Sequence, residues 1–281
     1  GSPRAIRTRP SNTLRLLAAI LGGTLGAAHA QDPEPVPTER NPAVEMRIAR
    51  LDDAWKDRKM ERDGEAGGAL IELSEMLDAP VHPKDEQAIR AALAKVLTAG
   101  RLRPADRIEC YELAAKGLAK LGDDGTKILI QTYEKKRFPR HAEWAPMRAV
   151  LVEAVGASGS ATAVPFLVER VQRGDEPAEL EAAGAAMKGF AGADDKTRKA
   201  LVEILARRLA GFETEAAAPA VNQDQQLNLN RENALRMMEA VRAPWTASLE
   251  ALTGETQESG AAWQKWFQDH KRAPWPKRDQ G

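Results

Sequence analysis

Apolar residues recur along this chain at intervals of three and four. Val44, Ile48, Leu51 and Trp55 form one such stripe, and Asn41-Pro42 immediately before it supplies a capping side chain and a proline at the first helical position. The same spacing continues to the C-terminal region and predicts helices over 42–62, 65–78, 84–99, 105–121, 124–138, 142–156, 160–173, 176–190, 195–210, 231–241, 244–253 and 258–270. The breaks carry stop and start chemistry. Gly100, Gly122, Gly174, Gly192, Gly211 and Gly254 stand where a left-handed C-terminal residue fits, and Asp124, Ser160, Asp175, Asp194 and Asn230 stand where an N-capping oxygen fits. No segment alternates with period two, so no strand is predicted. Phe212 to Leu229, which contains AAAPAVNQDQQLNL, breaks the rhythm and reads as an inserted loop over 212–229.

The helices repeat as a unit. Ile128-Leu129-Ile130 and Tyr133 superimpose on Phe166-Leu167-Val168 and Val171 after a shift of 38, and Leu167-Val168 and Val171 superimpose on Leu201-Val202 and Leu205 after a shift of 34. Each of these helices follows an Ala-rich helix and a turn with Gly122, Gly159 or Gly192. A helix–turn–helix unit of this length cannot bury its apolar face alone and must stack on its neighbours. The expected fold is therefore all-α, an α-solenoid of stacked antiparallel helix pairs over 42–270. Residues 244–270, with Trp245, Trp263 and Trp266, are expected to form its Trp-rich C-terminal cap.

The stretch from Val155 to Leu167, VGASGSATAVPFL, resembles the helix–turn–helix junction of HEAT repeats, particularly the short bacterial lyase-like kind. In that family a Gly-containing turn leads into an Ala-Val-Pro-x-Leu helix entry, and Pro165 is tolerable so near a helix start. The neighbouring repeats lack the proline, having Ile128 and Ala200 without it. Leu252-Thr253-Gly254 followed by Ala262-Trp263-Gln264-Lys265-Trp266-Phe267 is similar to the ending of many exported bacterial HEAT-repeat proteins. Both resemblances imply a fold and leave function open.

The first thirty residues differ from the rest. Arg4, Arg7, Arg9 and Arg15 precede any acid, an uncharged stretch runs from Leu16 to Ala28, and Ala28-His29-Ala30 follows. This order reads as a secretory signal peptide over 1–30, cleaved before Gln31, with an apolar run too short for a stable membrane span. Residues 31–41, with three prolines, read as an extended tether, and residues 271–281 as a tail. The expected location is periplasmic or extracellular. Without residues 1–30 the chain carries 37 Lys and Arg against 41 Asp and Glu, a net charge near −4, which argues against a general nucleic-acid binder. Cys110, the only cysteine, sits in an apolar helical phase and forms no internal disulfide.

Catalytic chemistry finds little footing. His82, His141 and His270 are far apart, no His-Glu pair or His-x-x-x-His occurs, and no second cysteine completes a metal set. HEAT-repeat hydroxylases with a di-iron centre use His-Glu pairs, so that reading loses its ligands. There is no G-x-S-x-G, and Gly122-Asp123-Asp124-Gly125 lacks the Lys of a phosphate loop. No catalytic residue, metal or cofactor is expected. Paired acids such as Asp52-Asp53 and Asp194-Asp195 are expected at helix starts or on exposed faces, where they cap helices or offset the helix dipole.

One surface stands out. In the repeat alignment Lys135, Arg173 and Arg207 share a column, and Gln131, Glu169 and Glu203 share another. Stacked repeats would turn these columns into ladders, and the candidate partner-binding residues are Glu134, Lys135, Arg170, Arg173 and Arg207, with Trp275 between two prolines as the expected exposed aromatic. The competing reading is that the cations offset helix C-terminal dipoles and pair with the acid column. The function expected from these features is a non-catalytic scaffold binding another protein in the cell envelope. The alternatives are a glycan- or peptide-binding accessory subunit and an enzyme of the lyase-like HEAT class.

Overall fold

The computed structural model describes residues 35–219 and 225–276; the expected leader, the start of the tether and the end of the tail lie outside the described residues. Eleven α-helices follow one another: α1 (Pro42–Trp55), α2 (Asp63–Glu75), α3 (Pro83–Thr98), α4 (Glu109–Ala119), α5 (Gly122–Glu134), α6 (Ala145–Ala157), α7 (Ala163–Arg173), α8 (Pro177–Ala186), α9 (Asp195–Ala217), α10 (Gln225–Thr253) and α11 (Gly260–His270). Short 3-10 turns at Met76–Asp78, Ala142–Trp144 and Met187–Phe190 extend three of them, and no strand occurs among the described residues.

The helices form two layers. One runs α2, α4, α6, α8, α10, each packed on the next; the other contains α1, α3, α5, α7, α9 and α11. Consecutive helices cross between the layers through short connections, which makes them antiparallel pairs. The protein is thus an all-α stack of helical hairpins, as the periodicity predicts. The repeat register is visible in the core: Leu129, Leu167 and Leu201, which share one column, are all fully buried between the layers. Asn41 caps α1, accepting from the Ala43 N–H at 3.0 Å, and Asp194 caps α9, accepting from the Thr197 N–H at 2.9 Å.

Two expectations need correction at the C-terminal end. Most of the segment 212–229 is helix rather than an inserted loop. Helix α9 continues to Ala217, α10 begins at Gln225, and Gly211 and Asn230 lie inside helices rather than at their ends. The reason is tertiary: Phe212 is buried, with its ring 6.1 Å from Trp245 and the Arg208 guanidinium 4.4 Å above it. The two helices expected over 231–241 and 244–253 are one, with Pro244 in its interior. A proline there removes a backbone hydrogen bond, normally enough to end a helix. Here the next turns are held by α8: the Trp245 indole N–H donates to Leu180 O at 2.9 Å, and Ser248 Oγ donates to Gly184 O at 2.7 Å. The approach is so close that a Cβ at Gly184 would overlap the Trp245 ring.

The tryptophans close the core. Trp245 and Trp263 are 0% exposed, and Trp266 lies 6.1 Å from Trp263 in an edge-on arrangement. Trp275, expected to be exposed, is half-buried: it packs 5.3 Å from Trp266, and its indole N–H donates to His270 O at 3.1 Å.

Candidate interaction site on the basic rim

Antiparallel stacking sorts the connections onto two rims. Helices α1, α3 and α5 end on one rim, where residues 56–62, 99–108 and 135–144 lead back into α2, α4 and α6. These three loops touch in series. Arg103 of the second loop pairs with Asp63 at 2.6 Å and donates to Trp55 O at 3.3 Å, so it holds the end of α1 and the start of α2. Arg137 of the third loop donates to Leu97 O, Ala99 O and Gly100 O at 3.0, 3.1 and 2.8 Å, closing the carbonyl end of α3. Arg140 reaches Asp175 in the next connection, at 3.8 Å.

An aromatic row lies beneath. Trp55 meets Tyr111 at 5.6 Å, Tyr111 meets Phe138 at 5.1 Å, and Phe138 meets Trp144 at 5.4 Å. The Arg103 guanidinium covers Trp55 at 3.9 Å, and the Tyr111 hydroxyl accepts from the Arg103 N–H at 2.9 Å. The loops are therefore pinned to the core from below.

A buried polar knot continues the rim across α5 to α8. Arg148 Nε donates to Glu179 at 2.6 Å, Tyr133 Oη donates to the other oxygen of Glu179, and Arg170 Nη1 donates to Tyr133 Oη at 3.1 Å. Burial, and then the Glu179 carboxylate, push the Tyr133 hydroxyl above its ordinary range, so it stays a donor. Arg148 Nη2 is buried without a hydrogen-bond partner.

Above these anchors the surface is strongly basic. The three loops contain eleven Lys and Arg against four acids, Asp57, Glu61, Asp106 and Glu143. The Asp57 carboxylate is already taken by the Lys59, Glu61 and Arg62 N–H groups. Lys56, Arg58, Lys59, Arg101, Lys135 and Lys136 are exposed, and none has a carboxylate within 4.0 Å among the described residues. Two non-glycine residues with left-handed backbone occur among the described residues, Met60 at φ 61° and Lys136 at φ 54°, and both lie on this rim. Such backbone is costly for a side-chain-bearing residue and persists only where surrounding contacts hold it.

Of the residues picked out by repeat alignment, Lys135 lies on this rim and is exposed, as is Glu134 beside it. Arg173 and Arg207 are exposed but face their own acid column, Glu169 at 3.7 Å and Glu203 at 3.9 Å. The ladder is thus partly self-paired. Arg170 is mostly covered, lying 5.0 Å over Tyr133 and 5.5 Å over Phe166. Trp275 sits at the far end of the stack with Lys199 and Arg198 over its ring at 5.5 and 5.6 Å. Sequence reading missed Lys56, Arg58, Lys59, Arg101 and Lys136. The available signal was charge in alternate connections, as in KDRKMER and KKRFPRH, which only the parity of the stack brings to one side.

Nothing elsewhere among the described residues assembles a reactive centre. The His82 ring caps α3, His270 stacks on Trp266 at 4.5 Å, and the His141 carbonyl accepts from Arg148. The Cys110 thiol is buried and pushed up to about 11 by that burial, with Asp63 adding to the effect. No group of three His, Cys, Asp or Glu suited to a metal occurs among the described residues, and no helix among them is long and apolar enough to cross a membrane. A cleft between α4 and α6, floored by Ala119, Val150 and Ala154, holds about 230 Å³, below the usual size of a small-molecule pocket. No family model and no curated protein matches the chain.

Proposed function

We propose that this chain is an exported, non-catalytic scaffold of the HEAT-repeat type that binds another protein in the cell envelope. The observation that carries the reading is the basic rim, where six exposed cations without carboxylate partners among the described residues stand on loops pinned from beneath. Rigid presentation of unpaired charge favours association over fold stability, because exposed ion pairs add little to stability. A stack of hairpins also offers a long edge that a partner can follow. The repeat resemblance supports the family, and the leader-like first thirty residues support export.

The glycan-shelf alternative needs exposed aromatic rings, and all six tryptophans are buried or half-buried. The catalytic alternative needs a nucleophile or an acid–base pair in a cleft, and the buried thiol and scattered histidines do not supply one. Affinity capture of the mature chain from its own envelope fraction tests the proposal. A stoichiometric protein partner is expected, and recovery of the chain alone under low-salt conditions refutes it.

A further inference from the structure

We infer that the basic rim takes an extended acidic segment of the partner protein, laid across the three loops 56–62, 99–108 and 135–144. This rests on the scaffold reading and adds the chemistry of the partner. Each loop contributes exposed cations: Lys56, Arg58 and Lys59 from the first, Arg101 from the second, Lys135 and Lys136 from the third. The loops are joined by Arg107 to Met60 O at 3.5 Å and by Arg137 to the carbonyls of 97–100, so the cations form one continuous row. Neighbouring helices pack roughly 8–10 Å apart, which makes the row about 20 Å long. An extended chain rises about 3.3 Å per residue, so about six residues span it.

The rim lacks the features of two other polyanion binders. Single-stranded nucleic acid is gripped by aromatic rings that stack on bases. The rings here, Trp55, Tyr111, Phe138 and Trp144, are packed against one another and none is exposed. A membrane-surface segment combines basic residues with apolar side chains that enter the bilayer. The exposed large apolar residues, Val36, Met46, Ile71, Leu227, Leu229 and Leu235, all lie outside the three loops. A protein segment needs neither: carboxylates alternating along an extended backbone meet a row of cations, and the Lys136 and Met60 backbones hold the loop tips in a set shape.

The test uses the full mature chain and a fluorescein-labelled Glu/Ser decapeptide, read by fluorescence anisotropy at low salt. One exposed cation per loop is reversed in a triple variant, Lys59→Glu, Arg101→Glu and Lys136→Glu. A control reverses the self-paired Arg207, which lies within α9 away from the three loops, Arg207→Glu. Saturable binding that weakens about tenfold or more in the triple variant and changes less than about twofold in the control supports the inference. Circular dichroism melts of both variants confirm that the fold persists, and single reversals replace the triple if it does not. Absence of peptide binding, or equal binding by the triple variant, overturns it. Tighter binding of an oligothymidylate or of phosphatidylglycerol vesicles than of the peptide also overturns it. If envelope capture succeeds and the triple variant retains the partner fully, the acidic-segment inference falls while the scaffold reading stands.

Discussion

The two rims of the stack use charge in opposite ways. On the rim formed by 76–82, 120–121, 158–162 and 187–194, most charged groups are committed to the fold, with Lys188 the exposed exception. Asp78 pairs with Lys120 at 2.6 Å, and Asp124 pairs with Arg90. Asp123 accepts from the Ser160 and Thr162 hydroxyls of the next connection, and Asp194 caps α9. On the opposite rim Arg103, Arg137 and Arg148 reach into the stack and hold it, while the outer lysines and arginines are left in solvent. Helix direction does not explain the difference, because each rim carries the carbonyl ends of one layer and the N–H ends of the other, and an arginine already satisfies the exposed carbonyls of α3.

If the inner arginines hold the basic rim together, Arg148→Met should have the largest effect of any substitution on either rim. It leaves the buried Glu179 carboxylate without its cation and should cost about 3–5 kcal/mol in urea unfolding. A loss below about 1 kcal/mol would show that the knot is not an anchor.

On the opposite rim Ser160→Ala removes both the bond to Asp123 and the one accepted from the Thr162 N–H. A loss of about 1–2 kcal/mol is expected, with faster amide exchange at the start of α7. Acid should probe the same side. Asp123 is held below the ordinary aspartate value of 3.8 by the Ser160 hydroxyl, and Asp194 by the Thr197 N–H. With the folded pKa depressed, their contribution is complete above 3.8 and is lost as pH falls through the lower folded value. Thermal melts should therefore drop below that point, and less steeply in Asp123→Asn. Equal acid sensitivity in that variant would show that Asp123 carries none of the effect.

Smaller effects should separate strain from charge. Met60→Gly and Lys136→Gly each relieve a left-handed backbone and should raise stability by up to about 1 kcal/mol. A loss instead would mean that side-chain contacts, not loop shape, keep these residues. Smallest of all, neutralising Lys59, Arg101 and Lys136 to Gln, one at a time, should move the unfolding free energy by no more than about 0.5 kcal/mol each. A larger loss would place these cations among the structural groups and erase the contrast between the rims.

Much of the fold is legible in the sequence itself. Helix positions, the caps at Asn41 and Asp194, and the column of Leu129, Leu167 and Leu201 all depend on neighbours within about four residues or on one repeat length. The repeat logic also placed Trp245 and Trp263 in the core, since the last hairpin of a stack must be closed, and both are fully buried. Tertiary structure alone decided what happens at Pro244 and Phe212. Contacts from α8 and between α9 and α10 override a proline and a loop-like composition, and their partners lie tens of residues away. It also decided which charges are committed and which are free. Arg170 and Lys135 both read as cations near the end of a second helix, yet one inserts beside Tyr133 and the other stays in solvent. The convergence of 56–62, 99–108 and 135–144 has the same origin. Runs of charge separated by some forty residues become one row only because antiparallel helices return each alternate connection to the same side.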